Sequence, residues 1–319
     1  MSDLPVKAGV APTPTITDAL TSAHGYAAAE KSDATRKAYR TDWADFTSWC
    51  ESIGSEPLPA APATLAGYVA QLADRGKKYS TIRRRVAAIA YAHRLASKPP
   101  PDAAEPVKAV LRGIRRSIGV AVERKAPATA RTIAAMLKQL PDTVAGKRDR
   151  AILLIGFAAA LRRSELVALD VADLEFADAG VIVTLRRSKT DQEGEGQIVA
   201  VPNGTKLRPV DALRAWLSAA AITEGAVFRT IGKGGRIAQS RLTDRSIADI
   251  IKRHAARAKL DPAIFSGHSL RAGFVTQALK DGADALNVMR VTRHVEISTL
   301  LAYDRRAKAF KDHAGKKFL

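Results

Sequence analysis

Apolar residues in the first third of the chain repeat with a helical period. From Ser32 to Ile53, Tyr39, Trp43, Phe46 and Cys50 recur three or four positions apart, which puts them on one helix face, and Gly54 supplies a stop. Leu65, Val69 and Leu72 predict a second amphipathic helix, Ile82, Val86 and Ile89 a third, and Val107, Val110, Leu111 and Ile114 a fourth. Pro99-Pro100-Pro101 separates the last two. Together they predict a four-helix module over residues 31–117. Residues 1–30 are rich in Ala, Thr and Pro without a sustained period, and are expected to form a disordered arm. Residues 118–129 carry Arg124-Lys125 and little periodicity, which reads as a basic linker.

From residue 130 the pattern is more varied. A helix is predicted from Ala130 through Leu140, and Ala151 to Ala160 is apolar on all sides, as a central buried helix must be. Val181 to Leu185 and Gln197 to Val201 are short and rich in β-branched residues, so both are predicted strands, joined through a polar turn from Lys189 to Gly196. Further helices are expected at Val210–Ala221 and Asp244–Ala258, and another apolar helical run follows His268. The fold class is therefore mainly α: a four-helix N-terminal domain, then a mostly helical domain over 130–319 with a small antiparallel sheet. Gly232-Lys233-Gly234-Gly235 lacks the full Gly-x-x-x-x-Gly-Lys-Ser/Thr pattern of a phosphate-cradling loop and reads as a flexible loop.

Charge narrows the choice of partner. Lys and Arg number 51 against 32 acidic residues, a net +19 and a pI near 10.2, which points to a polyanion. The longest apolar run, Ala151 to Leu161, has 11 residues, too short to span a bilayer, and the N-terminus lacks a basic-then-apolar export pattern. One cysteine, Cys50, excludes an internal disulfide and a cysteine-based zinc cluster, and the six histidines include no His-Glu-x-x-His pair, so no metal is expected. A cytoplasmic, nucleoid-associated protein fits these features. The excess is uneven: Arg75 to Arg94 holds seven basic residues and no acidic one. A solvated helix face normally mixes signs, so Lys77, Lys78, Arg83, Arg84 and Arg85 are expected to follow a DNA backbone, with Tyr79, Ser80 and Thr81 adding hydroxyl contacts.

The candidate chemistry lies near the C-terminal end. His268 and Arg271 are three apart and share a helix face; one can move a proton while the other keeps a permanent charge, a pairing suited to a phosphate. Tyr303 is the candidate nucleophile. His93 and His254 fall on apolar helical faces and are assigned to packing.

These residues carry a resemblance. Ala160-Leu161-Arg162-Arg163-Ser164-Glu165-Leu166, then Lys189 between two strands, then His268-Ser269-Leu270-Arg271, His294 and, nine residues on, Tyr303 match in order and spacing the tyrosine recombinases, or phage integrase family, of Cre and Xer type. The resemblance implies a core-binding domain over 31–117 and a catalytic domain over 130–319. It implies a site-specific recombinase in which Tyr303 attacks a scissile phosphate to give a 3′-phosphotyrosyl link, without metal, cofactor or ATP. Arg162 and Arg271 would clamp the non-bridging oxygens, Lys189 would protonate the leaving 5′-oxygen, His268 would accept or relay the tyrosine proton, and His294 would donate to the phosphate. Glu165 would orient the Arg or His side chains. Partners would be double-stranded DNA and three further copies of the chain, a homotetramer on two sites that exchanges strands through a Holliday junction. The chain departs from the family in one place: Arg293 stands where glycine usually precedes the histidine. Two other readings stay open, a DNA-binding protein of this fold that no longer cuts, and a type IB topoisomerase-like enzyme using the same covalent chemistry.

Overall fold

The computed structural model describes residues 21, 30–120, 125–186, 196–294, 296–297 and 300. The predicted arm, the Lys189 turn and Tyr303 lie wholly or largely outside them. The chain divides into two compact units, Met1–Val122 and Glu123–Leu319.

Among the described residues, the first unit holds four α-helices of eight residues or more: α1 (Asp33–Ser52), α2 (Pro62–Asp74), α3 (Tyr79–Leu95) and α4 (Glu105–Ile118). Ser32 caps α1 with its hydroxyl, proline opens α2 and lies in the first turn of α4, and Gly119 ends α4 at a positive φ of 72°. α1 packs chiefly on α3, and α2 on α4. The sequence-read faces meet: Phe46, Cys50, Leu65, Val69, Leu72, Ile82, Val86, Ile89, Val107, Leu111 and Ile114 form one buried core. Buried His93 is fully satisfied within it. Its Nδ1–H donates to the Ile89 carbonyl at 2.8 Å, and its Nε2 accepts the Ala60 N–H at 2.9 Å.

In the second unit α5 (Ala130–Leu137) stops three residues before the predicted end, ahead of Pro141 and of Thr143, whose side chain caps α6 (Val144–Ala158). α6 is the buried helix, and it begins seven residues before the apolar run. The extra turns hide charge: Arg148 and Asp149 are both buried and paired at 2.8 Å. His254 Nε2 lies 2.8 Å from Asp149 as well, so this histidine packs through a polar contact and not only an apolar one. α7 (Arg163–Ala168) follows directly. The predicted hairpin is part of a three-stranded antiparallel sheet in the order β1 (Leu174–Ala177), β2 (Gly180–Leu185), β3 (Gln197–Pro202). Val181 pairs with Val201 and Val183 with Val199, all four buried. β1 is too short, at four residues, for its alternation to stand out.

α8 (Pro209–Ala219) and α10 (Ser269–Lys280) pack on α6, while α9 (Asp244–Arg257) packs on α7. Between α8 and α9, β4 (Arg229–Ile231) and β5 (Ile237–Arg241) form a second hairpin with Gly232–Gly235 as its tip; Gly234 and Gly235 turn the chain at φ of 79° and 82°. α11 (Ala285–Thr292) follows α10. The start of α10 is tied to the segment from Lys125: the Ala126 N–H donates to the Ile264 carbonyl and the Ala128 N–H to the Ser269 carbonyl, each at 2.8 Å. Gly273 lets this segment lie close, since a Cβ there would sit 1.9 Å from the Ala128 carbonyl oxygen. Among the described residues, no helix is long and apolar enough to cross a membrane.

Candidate functional site

Where α6 ends, the chain must turn sharply. Ala160 takes a left-handed φ of 49°, and Arg162 becomes the cap of α7. The Glu165 side chain reaches back over this turn. Its Oε2 accepts the Arg162 backbone N–H at 2.8 Å, and its Oε1 accepts Arg162 Nη1 at 2.5 Å. This is the back half of a capping box, Glu165 accepting the cap residue's N–H, while the guanidinium, which has no acceptor, donates to the same carboxylate and is oriented by it. The Arg162 side chain is 20% exposed and Glu165 2%.

Arg271 comes from the first turn of α10 and is buried to 1%. Its Nη1 donates to the Ala160 carbonyl at 2.9 Å, two residues before Arg162. The strained turn therefore presents one arginine from its own chain and holds a second by its carbonyl. His268 caps α10 and is open to solvent. Surrounding protein first, then the charges of Arg271, Arg162 and Arg163, hold its pKa below the ordinary value.

His294 follows α11. Burial first, then Arg271, Arg162, His268 and Arg293, push its pKa down to about 4. At neutral pH the ring is therefore uncharged. Its tautomer follows from hydrogen-bond bookkeeping. The Thr292 hydroxyl spends its proton on the Val288 carbonyl at 2.8 Å, so it must accept from His294 Nδ1–H, also at 2.8 Å. That leaves Nε2 as the acceptor nitrogen of the neutral ring.

Arg293, between Thr292 and His294, explains the departure noted in the sequence. Its φ of 56° and ψ of 42° lie in the left-handed region, where glycine sits without strain and another residue costs about 1–2 kcal/mol. Its side chain turns inward, 5% exposed, and Nη2 donates to Glu165 Oε2 at 2.8 Å. Burial would raise the Glu165 pKa, but Arg293 and then Arg162 outweigh it and hold the carboxyl below the ordinary carboxylate value.

The structure thus brings together Arg162, Glu165, His268, Arg271 and His294. Lys189 and Tyr303 lie outside the described residues. Arg186, three positions before Lys189, lines a cleft of about 310 Å³ together with Glu165 and Asp173. Sequence reasoning missed Thr292, which sets the His294 tautomer, and the inward turn of Arg293. The available signal was the arginine in a seat that favours glycine. Among the described residues, no three His, Cys, Asp or Glu side chains gather as a metal-holding group.

In the first unit, the basic helix divides. Lys77, Lys78, Ser80 and Arg83 are exposed, while Tyr79 and Thr81 are half-buried. Arg84, half exposed, pairs with buried Asp42 of α1 at 3.1 Å. Arg85 is turned inward at 13% exposure, bound to Asp45 and, at 2.6 Å, to the Tyr68 hydroxyl. The acids missing from the local sequence are supplied by α1, some 40 residues away.

A solved integrase of transposon Tn1549, in complex with transposon right end DNA, is similar in fold at a TM-score of 0.60 and 16% identity, covering 89% of this chain and 93% of that one. A lambda integrase dimer bound to a COC′ core site is similar at 0.57 and 15%, covering 91% and 95%. An integrase/recombinase XerD homologue of Selenomonas ruminantium is 40% identical over 293 residues, 89% of this chain and 85% of the relative. The phage integrase family model matches residues 128–309, which contain every residue of the cluster around Arg162 and Arg271. The chain belongs to the phage integrase family, the tyrosine recombinases.

Proposed function

We propose that the protein is a site-specific DNA recombinase that breaks and rejoins strands through a 3′-phosphotyrosyl intermediate on Tyr303. The observation that carries this reading is the pair of arginines meeting at one turn, Arg162 through the Glu165 carboxylate and Arg271 through the Ala160 carbonyl. Their planar forks match the two non-bridging oxygens of a phosphodiester and keep their charge at any working pH. They act most strongly where negative charge builds up, in the transition state.

A free tyrosine has a pKa of about 10, so only about a thousandth is ionised at neutral pH. Fixed cations and a base must therefore assist it. His268, neutral at pH 7, is able to take the proton as the Tyr303 oxygen bonds to phosphorus. Lys189 gives a proton to the departing 5′-oxygen. The new phosphotyrosyl ester stores the energy of the broken link, so a second 5′-hydroxyl can reverse the step with no ATP or metal. His294 enters as an acceptor at Nε2 in the free protein. To donate to the phosphate it needs a proton at Nε2, gained by protonation or by tautomer exchange as the negative charge arrives.

The exposed Lys77, Lys78 and Arg83 are proposed to contact the DNA backbone, with Tyr79, Ser80 and Thr81 beside them and Arg84 in part. Arg85 holds the helix in place for them. Four protomers are proposed to join two duplex sites and exchange strands in turn through a Holliday junction. The relatives held on DNA support this reading, as does the charge of +19. The test is to incubate the protein with random genomic fragments, trap the covalent complexes and sequence the attached ends. A discrete recovered site with protein on the 3′ end is expected. Tyr303→Phe should still bind that DNA and form no adduct, and recombination by this variant at the parent's level would refute the assignment. Relaxation of any supercoiled plasmid without a partner site would instead favour a topoisomerase-like activity.

A further inference from the structure

Three charged side chains occupy the space between α7 and the end of α11. Glu165 is bound on one side by Arg162, through side chain and backbone, and on the other by Arg293. Two cations therefore share one carboxylate. With Arg162 alone, Glu165 would form a neutral pair, and much of the arginine's field would be cancelled. Adding Arg293 leaves the group with a net positive charge. It also fixes the carboxylate from behind, which restricts the orientations open to Arg162.

The arrangement is not the one packing would choose. Arg293 sits in a left-handed backbone conformation, and its Nε is buried with no hydrogen-bond partner among the described residues. A glycine would suit the backbone, and an apolar side chain would avoid the orphan donor. What an arginine supplies here is a positive charge that reaches Glu165 Oε2 through Nη2.

We propose that Arg293 is a positioning residue: it holds Glu165 so that Arg162 meets the scissile phosphate in a fixed orientation with its charge uncancelled. This rests on the recombinase reading of the site. Arg293 makes no contact with DNA in the proposal; it acts through Glu165.

The test uses full-length protein and a nicked duplex carrying the site recovered by covalent capture. Single-turnover adduct formation is measured for the parent, Arg293→Gly, Arg293→Asn and Arg293→Lys, alone and with Glu165→Gln. Gly and Asn both tolerate the left-handed backbone. Each should slow adduct formation at saturating DNA by about tenfold or more, while the half-saturating DNA concentration stays within about twofold. Arg293→Lys should recover most of the rate. In the Glu165→Gln background the Asn change should add little, because both act on the same element. A Gly variant that melts at the parent temperature and reacts at the parent rate overturns the proposal. So does an equal penalty in both Glu165 backgrounds.

A second readout needs no DNA. The Arg162 guanidinium should give restricted, exchange-protected nitrogen resonances in the parent and averaged ones in Arg293→Gly. Unchanged resonances would overturn the proposal. If covalent capture with the parent recovers no DNA, the recombinase reading fails, and the resonance comparison still decides whether Arg293 positions Arg162.

Discussion

His294 carries two kinds of consequence, one for stability and one for chemistry. In the fold its pKa lies near 4, against an ordinary value of 6.5. As pH falls through that interval the unfolded chain gains a proton that the folded chain refuses, so the site loses stability between about pH 6.5 and 4. Replacing His294 with Asn should flatten the decline, as thermal unfolding across that range will report. Glu165 runs in the same direction at lower pH. Its folded pKa is depressed, so the stability it contributes is present above the ordinary 4.5 and lost as pH drops through the folded value. At the chemical level, Arg271→Lys keeps a charge but gives up the fork that binds the Ala160 carbonyl and, in the proposed reaction, a phosphate oxygen. Adduct formation should fall by about 10²–10³, by analogy with loss of an oxyanion donor, with DNA affinity little changed. A gel-resolved time course on captured DNA checks it.

At the scale of elements, the close approach of α10 to the segment around Ala128 depends on Gly273. Gly273→Ala places a methyl group against backbone that has no room to give, and should destabilise the second unit by about 1–3 kcal/mol, read as a lower melting temperature. This element logic was partly legible in the sequence. The four apolar faces of the first unit, the buried α6 and the β2–β3 pair follow from periodicity, because each is long enough or apolar enough to show it. β1, β4 and β5 were not legible, since strands of three to five residues carry too few alternations. The start of α6 was hidden because Arg148 and Asp149 look like surface residues until they are seen to neutralise each other inside. The order of Arg162, Glu165, His268, Arg271 and His294 was legible as a family pattern. The tautomer set by Thr292 was not, because it depends on a hydroxyl proton already committed to the turn before it. The basic helix teaches the same lesson, for its counter-charges, Asp42 and Asp45, come from another helix. Arg85→Ala should therefore lower the stability of the first unit. Reversing Lys77, Lys78 and Arg83 should weaken DNA binding and leave the melting temperature near the parent's.

For the molecule as a whole, the excess of cations sets how it meets a polyanion. If the exposed basic residues follow phosphates, affinity for duplex DNA should fall steeply with salt, by about 10³-fold between low and moderate concentrations. The Lys77, Lys78 and Arg83 reversals should make that slope shallower, and filter binding over a salt series will show whether they do. In the proposed reaction the fixed arginines at the α6–α7 turn act on one phosphate out of the many bound. The central claim is that a tyrosine oxygen stands in for a broken backbone bond beside those arginines. It is tested most directly by digesting trapped complexes with protease and identifying the peptide that carries nucleotide by mass spectrometry. The account predicts a nucleotide joined through its 3′-phosphate to the peptide containing Tyr303. A nucleotide on any other peptide, or none from complexes that have cut their DNA, would contradict it.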